Sequence, residues 1–440
     1  MTNIIQPTRI LIVGGGGREH ALAWKLGNEP GVNEVTVGPG SDAIAREPRV
    51  RVAPVLDPLD PAAVVALARE RAAELVVIGP EAALAAAVGD ALIDARIPVF
   101  GPSAAAARIE SSKAFCRELA SAAGVPMAAG RAFDADDRDA AIAFSKRFAA
   151  QGVVIKADGL AAGKGVVVCE SVEAAASAIA AVEGPFIVEE RLVGPEASVI
   201  AIADGQTAIA LPIARDHKRL GDHDTGPNTG GMGAVSPVAD LPDDHADEIL
   251  ARFHLPVLAE LSRRGTPFRG ALYAGLILTT AGPRLLEFNA RFGDPETQAI
   301  VPRLAGPLAP LLLAAARGAL GTARPPAVLP GSVVAIVLAA AGYPAAPARG
   351  VPIDGLDAAA ASGALVFHAG TRRDADGTWR TDGGRVLSVV GRGADVAAAR
   401  AVAEAAADGI AWPGLQRRRD IGSRVVAGGA ARPEAVGAGR

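Results

Sequence analysis

Val153-Val-Ile-Lys156, Ala157-Asp-Gly-Leu-Ala-Ala-Gly-Lys164 and Gly165-Val-Val-Val168 follow one another without a break, and that order decides the fold. The two outer runs are short, apolar and β-branched, so each reads as a strand. The glycine-rich loop therefore joins strand to strand, which a Walker A loop does not do. Its spacing is also one residue short, and no Ser or Thr follows Lys164. The loop still suits phosphates: small residues let backbone amides approach polyphosphate oxygens, and a lysine near the tip supplies a mobile point charge. A flexible hairpin with a solvated lysine is the plainer reading of such a loop by itself. Lys156 weighs against it, because a lysine that ends an apolar strand and points inward needs an anionic partner.

Working outward, a helix over 172–181 and a strand at Phe186-Ile-Val-Glu189 complete a small α+β subdomain between Gly124-Val-Pro126 and about Gly194. Glu189 and Glu190 close that strand, with Glu196 a short loop later. Adjacent carboxylates at a strand end are most often solvated charge; the functional reading gives the strand an adenine amino group and Glu196 the ribose hydroxyls. Strands at 197–203 and 208–213 lead into the polar, glycine-dense stretch 216–233, which reads as a long loop, functional or disordered. Strand character resumes at 272–278 and 284–288. There Glu287-Phe-Asn289 places two oxygen side chains on one strand face. Such hard donors suit Mg²⁺, which takes few protein ligands and completes its shell with water and substrate phosphates. Arg291 and Asp294 follow at once, and a buried polar turn held by an Arg–Asp pair is the competing reading.

The first hundred residues alternate strand-like runs (10–13, 34–37, 75–78, 98–100) with helix-like ones, the pattern of βαβ units on a parallel sheet. Gly14 to Gly17 follow the first strand, and the helix from Arg18 could offer free backbone N–H groups to a phosphate. The register is not that of a dinucleotide fingerprint, because Glu19 or His20 occupies the third glycine position. A tight turn for close strand–helix packing is the alternative. Gly79-Pro-Glu81 ends another strand, at the edge where open α/β sheets bind ligands. A third region begins near Pro325-Pro326, with strands at 332–341, 364–370 and 384–391.

Composition narrows the function. The 440 residues carry 44 Lys+Arg against 48 Asp+Glu, with no basic stripe to follow a nucleic acid backbone. Cys116 and Cys169 are too few for a disulfide framework or a paired-cysteine metal site. The six histidines match no zinc frame, and no nucleophile elbow appears. With no secretory leader and no apolar run of about 20 residues, a cytoplasmic protein that binds neither membrane nor nucleic acid is expected.

Taken in order, Gly15-Gly-Gly-Arg-Glu-His-Ala21, Gly79-Pro-Glu81, Ser112-Lys-Ala-Phe115, Lys156 to Gly165, Asp216-His-Lys-Arg219, Thr225 to Gly233 and Glu287 to Gln298 closely resemble the phosphoribosylamine–glycine ligases, or glycinamide ribonucleotide synthetases. His368-Ala-Gly-Thr371, Gly383-Gly-Arg-Val-Leu387 and Asp420-Ile-Gly422 extend the resemblance to about Arg424. It implies an α/β chain of the ATP-grasp fold. An N-terminal parallel-sheet, Rossmann-like domain (1–102) would precede the ATP-grasp domain (103–325, lid about 125–193), followed by a small C-terminal α/β domain (326–426); the tail 427–440, rich in Gly, Ala and Pro, reads as disordered from its composition.

It also implies the substrates ATP, glycine and 5-phosphoribosylamine, a glycyl phosphate intermediate, and Mg²⁺ or Mn²⁺ on Glu287 and Asn289. Residue by residue, Lys113, Lys156, Gly163, Lys164 and Gly165 would meet the nucleotide phosphates. Glu189, Glu190 and Leu192 would hold adenine and Glu196 the ribose, with Arg219 and Asn228 lining the site. Asp216, Arg291 and Asp294 would contact glycine or the acyl phosphate. Gly15, Gly16, Gly17, Arg18, Glu19 and Glu81 would place phosphoribosylamine. Ala290, Pro195, Ala83 and Ser41-Asp42 depart from the family's pattern without removing a metal ligand or phosphate contact. A monomer or homodimer is expected. The alternatives are another ATP-grasp carboxylate–amine ligase or carboxylase, a Rossmann oxidoreductase, which the broken glycine register disfavours, and a non-catalytic nucleotide-binding regulator.

Overall fold

The computed structural model describes residues 5–160, 165–321 and 323–423. Gly163, Lys164 and the tail 427–440 lie outside them. Five strands, β1 (Arg9–Gly14), β2 (Glu34–Pro39), β3 (Val50–Val52), β4 (Leu75–Ile78) and β5 (Val99–Phe100), form a wholly parallel sheet in the order β3-β2-β1-β4-β5. Both faces are covered. Ile10 and Ile12 of β1 join one apolar core, while Leu11 and Val13 join another on the opposite side. That two-sided burial is why these strands read as continuous apolar runs. The order reverses between β1 and β4, so the crevice at their carboxyl ends lies between Gly14 and Gly79.

The subdomain around the glycine-rich loop is an antiparallel sheet of β6 (Gly130–Phe133), β7 (Val153–Ala157), β8 (Val166–Cys169) and β9 (Phe186–Glu190), in the order β6-β9-β7-β8. Phe133, Phe148, Ile155 and Phe186 pack with Ala141 and Ile179, from the helices Arg138–Ser145 and Val172–Ala181, into a separate core. The second helix spans the expected residues, with Ser171 as its cap: the Ser171 hydroxyl accepts the Ala174 N–H at 3.1 Å.

Next come β10 (Glu196–Asp204), β11 (Ala208–Ala210), β12 (Arg215–Asp216), β13 (Arg219–Gly221), β14 (Thr225–Asn228), β15 (Gly233–Ser236), β16 (Arg269–Thr279) and β17 (Gly282–Asn289). β11-β10-β16-β17 form an antiparallel sheet, its strands interlocked by one-to-one register from Glu196 opposite Ile277 to Asp204 opposite Arg269. The C-terminal strands are β18 (Ser332–Ala339), β19 (Leu365–His368), β20 (Thr371–Arg373), β21 (Trp379–Thr381) and β22 (Arg385–Gly393).

One expectation is corrected here. The stretch 216–233 is not a plain loop: β13 and β14 pair as a hairpin, and β12 and β15 enter the C-terminal sheet in the order β12-β15-β18-β22-β19. Its Gly and Pro residues break the alternation that a strand normally shows, while cross-strand pairing still satisfies its backbone. β15 pairs directly with β18, so a strand that precedes Pro325 shares a sheet with the strands that follow it. Among the described residues no helix is long and apolar enough to cross a membrane.

Candidate active site

A cavity of about 1420 Å³ opens where these sheets meet. Its walls include Gly14 to Gly16 from the end of the parallel sheet and Glu81 from the helix that follows β4, Lys156 and Glu189 to Leu192 from the small subdomain, Glu287 and Asn289 from the large sheet with Arg291 just beyond it, and Tyr343 and Arg385 from the C-terminal region.

At the parallel-sheet end the helix Gly17–Gly27 starts directly after the glycine run. The Glu19 carboxylate accepts the Gly16 N–H at 2.7 Å and the Arg18 Nε–H at 2.6 Å. It is wedged between the ends of β1 and β4. A Cβ on Gly79 would lie 2.0 Å from Glu19 Oε1, and one on Gly14 2.7 Å from its Cγ. The glycines thus make room for this carboxylate, and the amide of Gly16, the residue that caps the helix, is already taken by it.

In the small subdomain Lys156 does point inward to an anion, and that anion belongs to the protein. Its Nζ lies 2.6 Å from Glu189 Oε1 and donates to the Leu286 carbonyl at 3.1 Å. Arg117 holds the other Glu189 oxygen. Glu189 therefore turns its side chain into this network and has only its backbone to offer a ligand. Glu190 caps the Ala129 N–H at 2.8 Å. Asp158 accepts the Lys113 and Ala114 amides at the start of the helix Lys113–Ala122, and Lys113 Nζ donates to the Gly159 carbonyl at 2.7 Å. The glycine-rich loop is thereby pinned to a helix N-terminus, where a carboxylate is favoured. Gly165 and Leu192 both line the cavity.

Glu287 and Asn289 face the cavity from β17 while Phe288 between them is buried in the core. Burial alone would raise the Glu287 carboxyl, but Lys218, Lys156, Arg291 and Lys113 together hold it below the usual range, so it is ionised. Among the described residues no cluster of three or more His, Cys, Asp or Glu could hold a metal. An ionised carboxylate and a neutral amide oxygen on one face do fit Mg²⁺, which needs few protein ligands.

Arg291 sits between two acids, with Nη2 3.0 Å from Glu110 Oε1 and Nε 3.5 Å from Glu81 Oε2. Its Nη1 donates to the Phe292 carbonyl at 3.2 Å. Nε is buried and makes no hydrogen bond. Asp294 accepts from Gln298 at 2.7 Å and pairs with Arg385 at 3.2 Å. Burial works to raise its carboxyl, yet Arg385 and Arg18 keep it below its ordinary value. Asp216 is the opposite case: burial, then the charge of Glu296, pushes its carboxyl well up, and its Oδ1 has no hydrogen-bond partner. Arg219 and Asn228 face each other across the β13–β14 hairpin, with Arg219 donating to the Gly226 carbonyl.

Several groups here carry no signal in the sequence. Lys218 bridges Glu196 at 3.1 Å and Glu287 at 3.6 Å; only its place beside Asp216 hints at a role. Ser198 links the Tyr273 hydroxyl and buried Glu296, both at 2.9 Å. Glu110, on the alanine-rich helix Ala104–Ser111, reads as a solvent-facing acid yet has a buried carboxyl. Arg385 reaches in from the C-terminal sheet.

Comparison with known proteins identifies the family. Three models match in order: phosphoribosylglycinamide synthetase N domain over residues 8–110, ATP-grasp (A) domain over 111–297 and C domain over 333–424. A phosphoribosylamine–glycine ligase of Leifsonia xyli is 48% identical over 94% of this chain and 100% of its own. The chain belongs to the phosphoribosylglycinamide synthetase family. The crystal structure of phosphoribosylamine–glycine ligase from Thermotoga maritima, a member at 34% identity, superposes with a TM-score of 0.78, covering 94% of this chain and 100% of that one. The biotin carboxylase domain of a Hydrogenobacter thermophilus 2-oxoglutarate carboxylase shares the fold alone, with 15% identity, a TM-score of 0.68, and coverage of 94% and 92%. The fold is ATP-grasp, and ligases of the phosphoribosylglycinamide synthetase family are built on it and use ATP.

Proposed function

We propose that this chain joins glycine to 5-phosphoribosylamine, converting ATP to ADP and phosphate through a glycyl phosphate, and so forms glycinamide ribonucleotide. The observation that carries the reading is the position of Arg291: it follows the Glu287–Asn289 pair in the chain and lies within 3.5 Å of Glu81, which starts the helix just past the sheet edge at Gly14 and Gly79. One cation thereby faces both the nucleotide side and the amine side of a single cavity.

The physical difficulty is bringing a carboxylate to a polyphosphate. Two like charges about 4 Å apart repel by about 4 kcal/mol at an effective dielectric near 20. Lys113, Lys156 and Lys218 supply positive charge along the nucleotide, and Arg291 faces the transferring group. Glu287 and Asn289 would hold Mg²⁺ or Mn²⁺, which neutralises phosphate charge when bound. The unpartnered oxygen of Asp216 suits the glycine ammonium, whose charge would favour the ionised carboxylate. Asp294 orders the neighbouring turn through Arg385. Backbone from Glu189 to Leu192 holds adenine, Glu196 the ribose, Gly163 to Gly165 cover the phosphates, and Arg219 and Asn228 border the nucleotide. Gly15 to Glu19 and Glu81 take the phosphate and sugar of phosphoribosylamine. Closure of the lid, about 125–193, keeps water from the acyl phosphate. The reading goes with domains at 1–102, 103–325 and 326–426, with action in the cytoplasm as a monomer or homodimer, and with no membrane or nucleic acid partner.

The test is ADP release by the purified chain with Mg-ATP and glycine, freshly generated phosphoribosylamine, or both. Rapid release should require both substrates and disappear in Glu287→Ala. Equal release without either substrate would refute the assignment.

A further inference from the structure

Arg291 is bound by two carboxylates that are not alike. Glu110 is a fixed partner: its side chain is 7% exposed, Oε1 lies 3.0 Å from Nη2, and Oε2 accepts the Ala290 N–H at 2.7 Å. Both of its oxygens are committed, and both hold the segment that carries Arg291. Glu81 is a loose partner. Its side chain is 36% exposed, it stands at the first position of the short helix Glu81–Ala85, and its nearest oxygen is 3.5 Å from Nε, outside good hydrogen-bond geometry. Nη1 and Nη2 each make one contact within the protein, to the Phe292 carbonyl and Glu110, while the buried Nε has no hydrogen-bond partner. Glu81 stands in front of it.

The charge count explains what this arrangement does. With both acids ionised, the guanidinium is outnumbered two to one, so its charge is already offset when a substrate carboxylate approaches. Glu81 is also drawn toward Arg18 on the parallel-sheet side, since Arg291 and then Arg18 hold its carboxyl below the usual range against the effect of burial. A cationic or amine-bearing substrate arriving at that side offers Glu81 a competing partner.

We propose that Glu81 is a placeholder on Arg291, withdrawn when the amine substrate binds, so that phosphoryl transfer to glycine is held back until its acceptor is present. Glu110 is the positioning residue that keeps the guanidinium in place through the exchange. This rests on the ligase reading above. Without the placeholder, a glycine carboxylate oxygen bonds to the γ-phosphorus as the bond to the bridging oxygen breaks, and ADP leaves with the electron pair. Water then attacks the acyl carbon, phosphate departs, glycine is regenerated and one proton passes to solvent. ATP is spent with no amide formed.

The experiment measures ADP release with Mg-ATP and glycine in the absence of phosphoribosylamine, for wild type, Glu81→Ala and Glu81→Gln, with thermal unfolding confirming the fold. The expected result is slow release in wild type and a rise of at least tenfold in both variants, dependent on glycine. The proposal is overturned if release with glycine alone stays at the wild-type rate in both variants, whether or not they still turn over both substrates. It is equally overturned if wild type already releases ADP with glycine alone as fast as with both substrates. Failure of wild type with both substrates together would instead remove the ligase reading itself. As a second readout, Glu110→Gln should lower kcat with both substrates while Glu110→Asp recovers part of it, a rescue that packing alone would not produce.

Discussion

Arg418 and Arg291 are the same side chain in two opposite settings. Arg418 is 1% exposed and has four of its five N–H donors bonded: it grips Asp420 through two bonds of 2.7 and 2.6 Å, reaches Asp224 at 2.7 Å and donates to the Arg219 carbonyl at 3.3 Å. It fastens the β13–β14 hairpin to the C-terminal segment. Arg291 is 18% exposed, keeps one buried donor without a bond and has one acid held only loosely. A closed network holds structure, and an open one awaits a ligand. The contrast lies in the accounting of donors and acceptors, which residue type alone does not convey.

The largest effect on stability should come from breaking the closed network. Arg418→Met leaves Asp420 buried beside an apolar chain and should cost about 3–5 kcal/mol, read by denaturant unfolding. Its influence on turnover should follow from the loosened hairpin alone. Arg291→Gln should do the reverse: turnover falls by roughly 10² to 10³, the usual scale for losing a donor to the transferring group, with a smaller stability loss. Burial already pushes the Glu110 carboxyl up despite Arg291, so Glu110 can take a proton once its partner is gone. A variant pair with these outcomes exchanged would break the contrast.

Most of the frame was legible in the sequence. β1, β4, β7 and β9 are short apolar runs because each is buried, and Glu287-Phe-Asn289 shows its alternation directly, with Phe288 in the core and its neighbours in the cavity. The hairpin at 219–228 was hidden because what holds it, Arg418 with Asp420, lies about two hundred residues further along the chain. Glu110 was hidden for the same reason. An acid in Ala104–Ser111 looks solvated until Arg291 and the Ala290 amide are brought beside it. Lys156 shows a middle case, since its need for an anion was readable while the identity of that anion, Glu189, was not.

Acid should separate the two arginines in a gentler way. Glu110 is raised by burial, so as pH falls it protonates above the ordinary glutamate range and releases its hold on Arg291. Asp420 is held well below its ordinary value: burial opposes this, but hydrogen bonds from Arg418 and the His223 amide prevail. A lowered carboxyl contributes stability that is complete above the unfolded value, about 3.9, and is lost only as pH falls through the folded one. Turnover should therefore decline at a higher pH than the Arg418 network loosens. Glu110→Gln should flatten the acid limb of kcat, and Asp420→Asn should flatten the stability curve below about pH 4.

The central claim is that glycine is phosphorylated on its carboxylate beside Arg291 before the amine attacks. Turnover with glycine labelled with ¹⁸O in both carboxylate oxygens tests it most directly. The account predicts one ¹⁸O in each inorganic phosphate released, carried there from the acyl phosphate. Phosphate free of label, with the amide product still formed, would contradict it.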